Sequence, residues 1–181
     1  MQMATFANGC FWCTEAIFRR LKGVTQVVSG FTGGFTENPS YYDVVSGLTG
    51  HAESIQFMFD PSVISYETLV TIFFHLHDPT ILNRQGYDVG TEYRSAIFYH
   101  SLEQKQQAED IKRKLDQSHV FPAHIVTEIT QAGPFYPAEK NMQEFYEKNS
   151  YVPYCQIIID PKVQKLLQEF RTEVKDEYQK Y

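Results

Sequence analysis

The order in which strand-like and helix-like patterns alternate between Met3 and Tyr99 constrains the fold more than any other feature of the chain. Met3 to Ala7 reads as a short strand, and Gly9 as the turn into a helix. In that helix Cys13, Ile17, Phe18 and Leu21 keep helical spacing until Gly23 stops it. Val24 to Gly30 is a second strand, and Ile55, Phe57 and Phe59 alternate with Gln56 and Met58 in a third. Ser65 can cap a helix with Leu69, Ile72, Phe73 and Leu76 inward; Asp78-Pro79 ends it, and Ser95 to Tyr99 is a fourth strand. Strand, helix, strand, strand, helix, strand is the order of a split βαβ unit. It predicts an α/β (α+β) two-layer sandwich, with a ferredoxin-like sheet and helices on one face.

The remainder is expected to extend this core. Ser101 and Gln104 form a capping-box pattern before a helix with Ala108, Ile111 and Leu115 inward. Ile125 to Ile129 and Gln156 to Ile159 read as strands, Ala138 to Lys148 as a helix, and 161–181 as a charged C-terminal helix with a solvated face. Two loops, Phe31 to Gly50 and Asn83 to Tyr93, sit between elements. The first carries Phe31, Phe35, Tyr41 and Tyr42, a composition that suits a functional loop. At 181 residues and 43% hydrophobic, one domain spanning 1–181 is expected. A net charge of -6 argues against a nucleic-acid or anionic-membrane surface. No apolar run approaches a membrane span and no signal peptide is visible, so a cytoplasmic protein is expected; a monomer is a separate expectation.

Chemistry concentrates in Gly9-Cys10-Phe11-Trp12-Cys13-Thr14-Glu15, which holds two of the three cysteines and the one tryptophan. A helix entrance favours a thiolate, so Cys10 reads as a nucleophile, with Phe11 and Trp12 as an apolar pocket beside it. The Cys-X-X-Cys spacing puts Cys13 within disulfide reach. Three readings stand at this point: redox work, half a zinc site, or a cysteine hydrolase. Zinc lacks ligands, since only Cys155 remains and His75 and His77 point to different sides of a helix; no metal or other cofactor is expected. A hydrolase needs a histidine base that the sequence does not place beside Cys10.

The chain resembles the methionine sulfoxide reductase A family. The resemblance runs through Gly9-Cys10-Phe11-Trp12 with Glu15, Thr32-Gly33-Gly34, Asn38-Pro39-Ser40-Tyr41 and Gly50-His51-Ala52-Glu53. It continues through Asp78-Pro79, Arg84-Gln85-Gly86, Asp88, Gly90-Thr91 and Tyr93-Arg94-Ser95-Ala96-Ile97 to Phe135-Tyr136, Ala138-Glu139 and Tyr154-Cys155, leaving only the final helix outside. It implies reduction of the S epimer of methionine sulfoxide, free or in proteins, as a repair of oxidised methionine. In that scheme Cys10 is the nucleophile and Glu53 the proton donor. Tyr41 and Tyr93 donate hydroxyls to the sulfoxide oxygen, while Phe11, Trp12 and Asp88 hold substrate. An intramolecular disulfide is then reduced by thioredoxin.

The sequence departs from the common pattern at Cys13, where the best-known members carry glycine and resolve the sulfenic acid with C-terminal cysteines. Some members carry cysteine there and resolve with it. This chain has both Cys13 and Cys155. Cys13 is the preferred resolving residue; Cys155, read as leading into a strand rather than a mobile tail, is the second candidate or a relay. Phe31 replaces a common tyrosine and Val89 a common histidine.

Overall fold

A computed structural model describes residues 1–180. Strand β1 (Gln2–Asn8) leads through Gly9 into helix α1 (Phe11–Phe18), followed by β2 (Val24–Thr32), β3 (Ala52–Phe59) and helix α3 (Tyr66–His75), with a short helix α2 (Tyr41–Val45) between the two strands. A two-residue hairpin, β4 (Arg84–Gln85) and β5 (Asp88–Val89), precedes β6 (Ser95–Tyr99) and helix α4 (Leu102–Ser118). Then come β7 (Glu128–Gln131), β8 (Tyr136–Pro137), a one-turn helix α5 (Phe145–Lys148) and helix α6 (Asp160–Phe170).

The strand order in the main sheet is β7-β6-β1-β3-β2-β8, antiparallel throughout except for the parallel β6–β7 pair. In β1, Ala4 and Phe6 stand opposite Phe57 and Ile55 of β3, and Phe6 stands opposite Ile97 of β6, so these side chains share one face. Helices cover that face. Phe6 meets Phe18 of α1 at 5.3 Å between ring centroids, Phe73 of α3 at 5.2 Å and Phe57 at 5.7 Å. Edge-on and tilted pairs at these distances add to the burial of large rings. The other face carries a smaller cluster of Ala7, Ala52, Ala96 and Phe98. No helix among the described residues is long and apolar enough to cross a membrane.

Several elements differ from expectation, each for a tertiary reason. The long loop contains α2, where Ser40 and Asp43 satisfy each other's backbone N–H in a capping box. Of its aromatics, Phe31 is buried in β2 while Phe35 and Tyr42 are exposed. The strand read over Ile125 to Ile129 begins at Glu128, because Ile125 N–H is taken by Asp116 and Val126 N–H by the Pro79 carbonyl. The helix read over Ala138 to Lys148 is two separate turns, Lys140–Met142 and α5. Between them the Gln143 amide bonds to both backbone groups of Ser29, and Glu144 takes a left-handed φ of 53°.

The largest difference lies at the C-terminus. Cys155–Ile159 is a π-helical turn running into α6, not a strand. Cys155 and Ile159, four residues apart, are buried, whereas Ile157 is 67% exposed; a strand would have put all three on one face. The charged helix ends at Phe170 and is not a wholly solvated outer layer: Leu166, Leu167 and Val174 are buried, and Val174 bridges to Leu21 beside α1. Asp176–Tyr178 forms a separate tight turn, and the last residue of the expected helix, Tyr181, lies outside the described residues.

Candidate active site

Cys10 is the residue at which β1 gives way to α1, with extended backbone (φ -61°, ψ 127°) while its carbonyl accepts from Cys13 and Thr14 N–H. Gly9 makes the turn possible: its φ is +108°, and a Cβ there would come within 2.8 Å of Gln85. The helix lacks a side-chain cap at Cys10. Instead the first N–H, that of Phe11, donates to Glu53 Oε1 at 3.1 Å. Glu53 reaches it because β3 begins at Ala52 and places Glu53 opposite Phe31, on the helix-covered face.

Glu53 is 1% exposed, and burial pushes its pKa up to about 8. The Phe11 N–H works against burial and loses; Asp88 and Glu92 add to the rise. The carboxyl is therefore neutral at pH 7. The phenols of Tyr41 and Tyr93 stand within electrostatic reach of Glu53, Cys10 and Asp88. Burial first and the Glu53 charge second push Tyr41 up to about 12 and Tyr93 higher still, so both keep their hydroxyl protons.

The helix entrance predicts a lowered Cys10 thiol, and here burial reverses that expectation. Cys10 is 8% exposed, and desolvation, its hydrogen bond to Cys13 and the Glu53 charge all raise its pKa, against a single Trp12 backbone N–H that lowers it. Cys13 moves the other way, to about 7, chiefly because the Cys10 thiol donates to it, with the Lys162 ammonium assisting. The two sulfurs act as one acid that gives up its first proton readily and its second reluctantly. Cys155 joins the same buried cluster as Cys10 and Cys13, and burial raises its thiol. All three thiols are free.

The two candidate pocket aromatics lie differently. Phe11 is completely buried in the main core, 5.5 Å from Phe31. Trp12 is half-buried at the junction of both clusters, stacked on Phe145 at 3.6 Å, with Tyr154 edge-on at 5.8 Å. A cleft of about 260 Å³ opens over Cys10 and Cys13, bounded by Gln85, Asp88, Tyr154 and Lys162. Asp88 accepts from the Tyr154 hydroxyl at 2.8 Å. His51, adjacent in sequence to the site, is structural: Nδ1 accepts from Gly34 N–H and Nε2 donates to the Thr36 carbonyl, pinning the segment before α2. Sequence reasoning gave no role to three contributors. Glu15 is buried and holds the Glu144 N–H on both oxygens (2.9 and 3.0 Å); Tyr154 and Lys162 wall the cleft.

A family model described as peptide methionine sulfoxide reductase matches residues 2–175. The chain belongs to the peptide methionine sulfoxide reductase family. The match takes in α6, which the motif resemblance left outside. Members of this family are oxidoreductases that reduce methionine sulfoxide, and this chain is such a reductase. The peptide methionine sulfoxide reductase MsrA of Saccharolobus solfataricus is 49% identical over 175 residues, 97% of this chain and 98% of that protein. Among solved structures, Mxr1 from Saccharomyces cerevisiae in reduced form aligns with a TM-score of 0.79 at 33% identity, over 85% of this chain and 88% of that one. The same yeast reductase in complex with Trx2 aligns at 0.56 and 27% identity, over 80% and 84%.

Proposed function

We propose that the chain reduces the S epimer of methionine sulfoxide, free and protein-bound, through a sulfenic acid on Cys10. The observation that carries this reading is Glu53, a buried carboxyl kept neutral at pH 7 and bonded to the N–H next to Cys10. The Cys10 thiolate attacks the sulfoxide sulfur as Glu53 protonates the oxygen; the hydroxyl then passes from that sulfur to Cys10 as the transient S–S bond and the original S–O bond break. Methionine leaves with two more electrons and Cys10 keeps the oxygen as a sulfenic acid. Tyr41 and Tyr93, whose phenols stay protonated, donate to the developing oxyanion. Phe11 and Trp12 hold the S-methyl group, and Asp88 helps to hold the substrate.

A second thiol then attacks Cys10 sulfur and releases water. Cys13 is the preferred resolving residue, because it lies one turn from Cys10 in the same buried cluster and ionises near pH 7. Cys155, buried in the same cluster, is the second candidate for that step, or a relay after it. The external electrons come from thioredoxin, a reading supported by the structural likeness to the yeast reductase in complex with Trx2. The β6-β1-β3-β2 order supports reading the core as a split βαβ, ferredoxin-like sheet.

Disulfide mapping after one sulfoxide turnover without reductant tests the scheme. Cys10→Ser should lose all turnover, and wild type should yield a Cys10–Cys13 bridge. A Cys10–Cys155 bridge that persists unchanged in Cys13→Ser would transfer the resolving role to Cys155. Retained turnover in Cys10→Ser would remove the mechanism altogether.

A further inference from the structure

One side chain already holds the groups that substrate needs. The Tyr154 hydroxyl donates to Asp88 Oδ2 at 2.8 Å and lies 3.8 Å from Cys13 Sγ, while its ring stands edge-on to Trp12. Phe145 stacks on the indole of Trp12, and Cys10 below is 8% exposed. A sulfoxide held by Trp12 and Asp88, as in the functional reading above, must enter the space that the Tyr154 ring and hydroxyl fill. The Asp88 carboxylate has acceptor sites to spare, so Tyr154 and substrate compete for the space between Trp12 and Asp88. Tyr154 also directly precedes the π-helical turn Cys155–Ile159, and such turns recur at functional sites as places where a helix is under-wound.

We propose that Tyr154 is a gate that substrate displaces: in the reduced enzyme its phenol occupies the slot between Trp12 and Asp88, and sulfoxide binding requires it to withdraw. This rests on the functional reading above and adds a competitor within the same site. Observed affinity is then the intrinsic affinity scaled down by the fraction of molecules with the slot open. Product methionine meets the same competitor, so return of Tyr154 also favours release. Tyr154 takes no part in bond making; it sets how much of the enzyme is competent to bind.

The test uses the full chain, reduced, with Cys10→Ser to prevent turnover, titrated separately with the S epimer of methionine sulfoxide and with methionine. Binding is read by calorimetry and by the fluorescence of Trp12, the one tryptophan in the chain. Tyr154→Ala should tighten both ligands by about five-fold or more. Tyr154→Phe keeps the ring but cannot hold Asp88, and should tighten them by a smaller factor; it decides the matter if the alanine protein fails to fold. Unchanged or weaker binding in Tyr154→Phe, with the parent binding normally, overturns the gate and leaves the reductase reading intact. If the parent itself binds no sulfoxide, the assigned substrate site is wrong and the gate falls with it.

Discussion

At Glu53 and the Cys10–Cys13 pair, burial and hydrogen bonding set two opposing protonation requirements. The thiol pair loses its first proton near pH 7, and the Glu53 acid loses its proton near pH 8. Single-turnover reduction of methionine sulfoxide should therefore fall as pH passes about 8, when the Glu53 acid ionises. Glu53→Gln should slow that step by about 10²–10⁴-fold with little change in substrate affinity, and should abolish the alkaline limb. The same raised pKa links to stability. The unfolded carboxyl ionises near its ordinary value, so Glu53 favours the fold fully below that pH, and the contribution is lost as pH rises to about 8. Thermal melting of wild type should fall across that window relative to Glu53→Gln. The burial of Glu53 was not read from the residues, because a lone carboxylate ahead of a strand ordinarily reads as solvated; its register with the inward Ile55, Phe57 and Phe59 is the signal that could have found it. The pKa order of the two cysteines was not legible either, because it depends on which sulfur donates to the other.

Among the elements, α1 and the segment running from α5 to α6 build the site together. Glu15 of α1 accepts twice from the left-handed Glu144, and this fixes the turn from which Phe145 reaches Trp12. Glu15→Ala leaves the Glu144 N–H without its acceptors. It should cost about 1–3 kcal/mol in denaturant unfolding and should also shift the emission of Trp12 by loosening the Phe145 stack. Cys10 and its helix were readable from Gly9 and the apolar spacing that follows. The π-helical turn was misread because Gln156-Ile157-Ile158-Ile159 is a short β-branched apolar run, and periodicity over four residues does not separate strand from buried helix. The longer stripe of Cys155, Ile159, Val163 and Leu166, spaced by three and four, carries the helical signal across the Asp160-Pro161 junction.

For the molecule as a whole, the sheet and its covering helices hinge on a few rings. Phe6 touches Phe18, Phe57, Tyr66 and Phe73, joining the two central strands to both α1 and α3. Phe6→Ala should destabilise the fold by about 3–5 kcal/mol, measured by chemical denaturation, with activity lost in parallel with folded protein. That core followed from strand alternation and helix spacing alone. The C-terminal strap did not: its attachment rests on backbone bonds such as Lys22 N–H to the Glu173 carbonyl and Lys175 N–H to the Arg20 carbonyl, which leave no mark on side-chain pattern. The closed arrangement of the three sulfurs carries one more consequence. Cys10, Cys13 and Cys155 are 8%, 3% and 0% exposed. An enzyme that reverses an oxidation shares its surroundings with the oxidant that caused it, and peroxide over-oxidises sulfur only where it can touch a thiolate. The low exposure of all three limits that contact and so guards the thiols against the oxidation steps beyond sulfenic acid, which a second thiol cannot reverse.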